Sequence, residues 1–301
     1  MQAHNLTHYL GNNMRALIAG MGFGKVLYGN IYKNMGWDIE YLDLYNKEAD
    51  YKNIDDAVKN NYDTVHICTP NYSHYPLADK AAKVSKFVFV EKPGVAITSH
   101  WEDLLKDNPN TRIMMTKNNQ YRNNIKEMQD AATDASAINF HWINHNRIPK
   151  PGSWFTTKHL AFGGVSRDLI PHMLSLYQML NSDWKASTLT GKQLEQRWTL
   201  DSVNDSSYGE VDPKGFYNVD DYCMLQYNEK YNCVADWRSM NGDDIAIHVD
   251  NKKFELGLCP EEAYQTMIQT ALDNENNDEF WQQQKDMDVW IHQQLEALSE
   301  H

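Results

Sequence analysis

Asp168 and His172 stand four residues apart, a spacing that sets a carboxylate and an imidazole on one helix face. Histidine titrates near neutrality and a neighbouring carboxylate tunes it, so the pair suits general acid–base work. Pro171 is tolerated only in a first helical turn, which puts Asp168 near a helix start. Two further candidates follow apolar runs: Thr69-Pro70-Asn71-Tyr72-Ser73-His74 after TVHIC (64–68), and Glu91-Lys92-Pro93 after KFVFV (86–90). A fourth, Gly20-Met21-Gly22-Phe23-Gly24, follows RALIA (15–19). Glycines at such a turn let the backbone bend tightly and approach a pyrophosphate, and the next helix offers its N-terminal N–H groups. Each group also has a plain structural role: a capping Asp, a solvated Lys, turn glycines.

The elements around these residues decide between the two roles. From Met14 to about residue 120, short apolar runs alternate with helical stretches: strands at 15–19, 37–44, 64–68, 86–90 and 112–116, with helices between. Asn53 is a plausible N-cap of the helix at 53–60 and Ser99 of that at 99–105. Repeated βαβ units predict a doubly wound parallel sheet, whose ligands bind at strand C-termini. All four candidate groups lie in or after such positions or in the next segment. Asp43 ends the second strand 23 residues after Gly20, about where a carboxylate meets adenosine ribose hydroxyls. Lys25 stands in the third position of the GxGxxG pattern, with Gly24 one residue earlier. Beyond residue 120 the rhythm changes. A helix at 121–132, strands at 138–144, 222–227, 231–238, 245–249 and 253–258, and two closing helices predict an α+β domain with a mixed or antiparallel sheet. The domains are therefore expected at 14–120 and 121–301, after an N-terminal tail of residues 1–13.

Composition bounds the partners. The 301 residues carry 41 Asp and Glu against 28 Lys and Arg, a formal net charge of −13. No basic run interrupts this, which argues against nucleic acid and anionic membranes. Cys68, Cys223, Cys233 and Cys259 form no CxxC pair, so neither a disulfide framework nor a metal site is expected. The first 13 residues lack a basic region followed by an apolar stretch, and no run approaches the ~18 apolar residues of a membrane span. A cytoplasmic protein is expected.

The ordered set of GxGFG turn, strand-end Asp, TPN-x-x-H, EKP and GG-x-x-x-D-x-x-x-H resembles the glucose–fructose oxidoreductase / inositol dehydrogenase (Gfo/Idh/MocA) family over nearly the whole chain. The resemblance implies a Rossmann domain plus an α+β substrate domain with a large open sheet, and commonly a homodimer or homotetramer. It implies that Gly20, Met21, Gly22, Phe23 and Gly24 hold the pyrophosphate and Asp43 the ribose. NAD is preferred to NADP, since no arginine follows Asp43. Thr69, Pro70, Asn71, His74, Glu91, Lys92 and Asn119 would border the cofactor. Lys92, Asp168 and His172 would be catalytic, His172 taking the hydroxyl proton, Lys92 stabilising the developing alkoxide, and Asp168 orienting His172 or binding a second substrate hydroxyl. Arg122, Trp154, Lys158 and Trp237 are substrate candidates. The expected activity is hydride transfer between the nicotinamide and a secondary alcohol or ketone of a sugar, polyol or related molecule. Reduction of a conjugated or imine double bond and a silent dinucleotide sensor are the alternatives. The chain departs from the family pattern at Lys25, Phe162 and Ser175.

Overall fold

A computed structural model describes residues 14–203 and 205–299; the expected tail at 1–13 lies outside the described residues. The chain divides into two compact units. One comprises the chain up to Thr69 with Ser73–Glu91 and Glu102–Met115; the other comprises Pro70–Tyr72, Lys92–Trp101 and the chain from Thr116. The boundary thus falls at residue 115 rather than 120, and two short excursions at 70–72 and 92–101 belong to the second unit.

The first unit is a five-stranded sheet of β1 (Arg15–Ala19), β2 (Asp38–Leu42), β3 (Tyr62–Ile67), β4 (Ser85–Val90) and β5 (Arg112–Met115). Its order is β2-β1-β3-β4-β5, and every pairing is parallel. Strands covered on both faces read as continuous apolar runs, and Ala16–Ala19 and Phe87–Val90 are buried throughout. The helices are α1 (Asn30–Asn34, entered through a π-helical turn at Lys25–Gly29), α2 (Ile54–Ala57), α3 (His74–Ala82) and, from Glu102 onward, α4 (Thr98–Asp107). Asn53 caps α2 as expected, accepting the Asp56 N–H at 2.9 Å. In the core His66 lies between Tyr28 and Phe89, ring centroids 4.2 and 4.5 Å away, with the Tyr32 hydroxyl 2.7 Å from Nε2.

The second unit is built on β6 (Ile138–Ile143), β7 (Leu189–Glu195), β8 (Tyr222–Tyr227), β9 (Tyr231–Asp236), β10 (Asp244–Val249) and β11 (Lys252–Glu255), in the order β11-β10-β6-β9-β8-β7. The sheet is mixed: β6 pairs with β9 in parallel and the other pairings are antiparallel. Around it run α5 (Ile125–Ala132), α6 (Lys158–Ala161), α7 (Val165–Asp168), α8 (Ile170–Leu180), α9 (Glu261–Asp273) and α10 (Asp278–Ala297). The apolar residues of β6, β8 and β9 alternate, and Phe140 meets Tyr177 of α8 edge-on at 6.2 Å. Tyr177 in turn stacks on Trp290 of α10 at 5.6 Å. Beside this core Lys117 and Asp288 form a fully buried ion pair. Removing one charge of such a pair strands the other in a low-dielectric interior. Asp288→Ala is therefore expected to lower the unfolding free energy by about 3–5 kcal/mol in urea titrations. Among the described residues no helix is long and apolar enough to cross a membrane.

Candidate active site

In the first unit the chain leaves β1 through Gly20, whose N–H donates to the Leu42 carbonyl at 2.8 Å. Gly20 has φ +100°, and a Cβ there would lie 2.5 Å from the Cys68 carbonyl oxygen. No side chain can occupy that turn without moving β3's end. At Gly22 a Cβ would meet nothing within 4 Å, so the loop opens outward there. Gly24 supplies the close packing that a third-position glycine would give: its Cβ position is 3.0 Å from Cys68 Cβ and Ile18 Cγ2. Lys25 therefore costs nothing in helix–strand approach, and its ammonium reaches Glu48 at 2.8 Å.

Asp43 ends β2 and organises this loop. Its Oδ2 accepts the Met21 N–H at 2.9 Å, and Oδ1 accepts those of Tyr45 and Asn46, each at 2.9 Å. Partial burial works to raise its pKa, but these three donors hold it below the usual carboxylate range. A carboxylate has roughly four acceptor positions, so one remains for a ribose hydroxyl. A tight turn without room for Cβ, an open backbone at Gly22 and an ionised strand-end carboxylate together fit a dinucleotide. Of the other residues expected near it, Thr69 accepts the Ser73 hydroxyl at 2.6 Å. His74 is buried and its Nε2–H donates to the Thr69 carbonyl at 2.8 Å, so it braces the loop. Glu91 accepts the hydroxyl of Tyr28 at 2.5 Å. Tyr28 follows the glycine turn by four residues and had no sequence signal beyond its aromatic type.

The second unit holds the proton-handling residues. Lys92 Nζ donates to Asp168 Oδ1 at 2.5 Å and to the Asp168 carbonyl at 3.0 Å. Trp237 Nε1–H donates to Asp168 Oδ2 at 3.0 Å. Burial pushes the Asp168 carboxyl upward, but Lys92 and Trp237 outweigh it and the group stays below the usual range. Asp168 ends α7 and His172 lies in the first turn of α8, with Leu169 breaking the helix between them and Pro171 at its start. The expected continuous helix is thus two, and the Asp168 oxygens are engaged by Lys92 and Trp237.

A different residue orients the imidazole. Asn119 Nδ2 lies 3.1 Å from His172 Nδ1, and Arg122 Nε donates to Asn119 Oδ1 at 2.7 Å. With the guanidinium fixing the amide oxygen, the amide nitrogen must face the ring and donate to Nδ1. The ring proton then resides on Nε2. Trp142 of β6 stacks on the ring at 5.1 Å and 23°. Burial first, then the charge of Lys92, lowers the His172 pKa to about 3, so the imidazole is neutral at physiological pH. Arg122 also donates to the Leu256 carbonyl at 2.5 Å and that of Gly257 at 3.2 Å, and is only 6% exposed. It braces Asn119, whose amide faces the histidine.

A pocket in this unit is lined by Asn71, Lys92, Phe155, Gly163, Arg167 and Asp168, with Trp237 at its wall. Asn71 Nδ2 donates to the Ala161 carbonyl at 2.8 Å. Trp237 is 1% exposed and serves to aim Asp168. Trp154 stacks on Phe155 at 3.8 Å, and it is Phe155 that lines the pocket. Lys158 is exposed at the start of α6, with its N–H on Asn218 Oδ1 at 2.7 Å. Arg167 joins them without a motif of its own. It is 3% exposed, donates Nη2–H to Ser299 Oγ at 3.0 Å, and has Nε and Nη1 without a hydrogen-bond partner among the described residues. An arginine directly before Asp168, in a turn that must be buried, was the available signal.

Residues 39–111 match the family model described as "Oxidoreductase family, NAD-binding Rossmann fold". A protein named as a UDP-kanosamine synthase oxidoreductase subunit from Amycolatopsis mediterranei is 24% identical over 204 residues, 62% of this chain. The matched region is about half, 55%, of that relative's length. Among solved structures, GenD2 from gentamicin A biosynthesis, in complex with NAD, aligns with TM-score 0.73 and 16% identity over 96% of this chain and 93% of its own. Levoglucosan dehydrogenase in complex with NADH aligns with TM-score 0.72, 14% identity and 96% of each chain. A myo-inositol dehydrogenase from Corynebacterium glutamicum gives 0.68, 14% and 96% of each. At these identities the structural likenesses establish the fold.

Proposed function

We propose that this chain, whose residues 39–111 match the Gfo/Idh/MocA model of NAD-binding Rossmann-fold oxidoreductases, is an NAD-dependent dehydrogenase of a secondary alcohol or ketone on a sugar, polyol or related small molecule. The observation that carries this reading is the Lys92–Asp168–Trp237 cluster in the same unit as a neutral His172. The turn at Gly20–Gly24 and the Asp43 carboxylate are the residues that would hold the dinucleotide. Bound NAD supplies the acceptor or donor of hydride.

The protein's own task is to hold the substrate oxygen and move one proton. Lys92 is the cation in this pocket able to do both: its ammonium stabilises a developing alkoxide and passes a proton to it when a carbonyl is reduced. Asp168 balances that charge and Trp237 keeps the carboxylate aimed. His172, with Nδ1 occupied by Asn119, presents Nε2–H as a neutral donor to the substrate oxygen. This replaces proton abstraction by His172, since a ring held near pKa 3 is a weak base at neutral pH. The pocket's polar demand is completed by Arg167, whose Nε and Nη1, unpartnered among the described residues, suit a substrate oxygen. Homo-oligomerisation and a cytoplasmic location belong to the same proposal.

Titration with NADH and NADPH, followed by nicotinamide fluorescence, is expected to show NADH binding about tenfold or more tighter, because Asp43 repels a 2′-phosphate. A screen of sugars and polyols at the reduced-cofactor absorbance band is then expected to find turnover. Binding of neither cofactor would remove the reading. Tight NADH binding with no turnover on any polyol would favour a regulatory sensor.

A further inference from the structure

On the opposite face of the same sheet, His141, Asp244 and His248 bring three ligand-type atoms within 4.8 Å of one another. The face is fixed by the pleat. Trp142 points toward α8, where it stacks on His172, so its neighbour His141 points the other way. His141 pairs with Ala246 on β10, which places Asp244 and His248, two residues to either side, on that same face. His141 Nδ1 lies 2.7 Å from Asp244 Oδ2, and His248 Nε2 lies 2.9 Å from that oxygen. The histidine rings are 4.7 Å apart at 51°, so their nitrogens converge rather than stack. All three side chains are a little over a quarter exposed, open to an ion from solvent yet anchored on paired strands.

We propose that His141 Nδ1, His248 Nε2 and an Asp244 oxygen form a binding site for a divalent first-row transition ion such as Zn2+, tying β6 to β10. Two imidazoles and one carboxylate are the donor set such ions take, with bonds of about 2.0–2.2 Å. Tetrahedral bonds of that length set ligand atoms about 3.3 Å apart, so the two imidazole–carboxylate separations need open by only about half an ångström. Each imidazole can surrender the proton it shares with Asp244 by carrying it on its other nitrogen, so no charge need be created. Lys253 opposes the ion: its ammonium is 3.1 Å from Asp244 Oδ1. It has a second carboxylate at hand, Glu255 at 2.7 Å, to which it can turn. The remaining positions fall to water.

The test is calorimetric titration of tag-free, chelator-treated protein with ZnCl2. One Zn2+ per chain is expected, with His141→Ala and His248→Ala each at least about tenfold weaker. Lys253→Met, which removes the opposing charge, is expected to bind several-fold tighter. Zinc should also raise the melting temperature of the wild type and leave that of the double histidine variant unchanged. Co2+ should give visible bands lacking thiolate charge transfer, which separates this site from one built on cysteine. Absence of stoichiometric binding by both the wild type and Lys253→Met, or binding that survives loss of both histidines, would overturn the proposal.

Discussion

Lys92→Met is expected to lower turnover by about 10²–10³-fold while leaving NADH affinity within about twofold. The size follows from what the ammonium does. In the proposed reaction it is the charged donor to the substrate oxygen, about a fifth exposed beside Asp168, and removal of one such donor costs roughly 3–4 kcal/mol of transition-state stabilisation. Methionine keeps the length and volume of the lysine stem, so the pocket wall stays filled. Asp168 would retain Trp237 as its donor, at 3.0 Å, and its carboxylate would no longer be neutralised. A lysine that merely anchored Asp168 would show up differently: Lys92→Arg would then restore activity, because guanidinium pairs well with a carboxylate. As a proton carrier the arginine fails, since it stays charged at any working pH. Steady-state kinetics of Met and Arg variants on one substrate, beside NADH titration, therefore separate the two roles. Equal turnover in wild type and Lys92→Met would remove Lys92 from the chemistry.

The residues that turned out to be legible in sequence are those whose constraint is local. Gly20 is required by its own φ and by the Cys68 carbonyl above it, and the strand–turn–helix context exposed it. The continuous apolar runs of the parallel strands announced a sheet covered on both faces, and Asn53 announced the start of α2. The misses share a different cause. Asp168 and His172 have helical spacing, but a helix break at Leu169 turned the carboxylate toward Lys92 and Trp237, partners 76 and 69 residues away. That Asn119 and Arg122 also hold the imidazole is equally invisible in sequence, because it depends on carbonyls of residues 256 and 257. β7 (LTGKQLE) went unread because an edge strand with both faces half-exposed carries little apolar alternation. Gly24 filled the role assigned to a third glycine one position later, a substitution that only the packing against Ile18 and Cys68 discloses. Periodicity reports which face is buried; it does not report which distant carbonyl satisfies a buried guanidinium.

Acid is expected to destabilise each unit before it protonates most carboxylates, because each folds around a neutral histidine. In the first unit His66 is 1% exposed between aromatic rings, and burial lowers its pKa to about 3. In the second, His292 is equally buried, donates Nδ1–H to the Asp288 carbonyl at 2.7 Å and accepts the Val95 N–H on Nε2 at 3.1 Å. Both nitrogens are committed in the neutral form, and burial lowers its pKa to about 4. In unfolded chain a histidine titrates near pH 6.5, so below that pH the unfolded state binds protons that the folded state refuses. The stabilisation is complete above about pH 6.5 and is lost as pH falls toward the folded values near 4 and 3. Each group should shed about 1.4 kcal/mol per pH unit across that window, or roughly 2 kcal/mol by pH 5. Urea unfolding at pH 7, 6 and 5 reads this slope directly. His292→Gln keeps an acceptor for Val95 and cannot titrate, so its free energy, lower at pH 7, should fall less steeply than that of the wild type by about one proton's worth. Parallel pH slopes in the two proteins would show that folding leaves the proton affinity of His292 unchanged, and that its Nε2 does not accept the Val95 N–H.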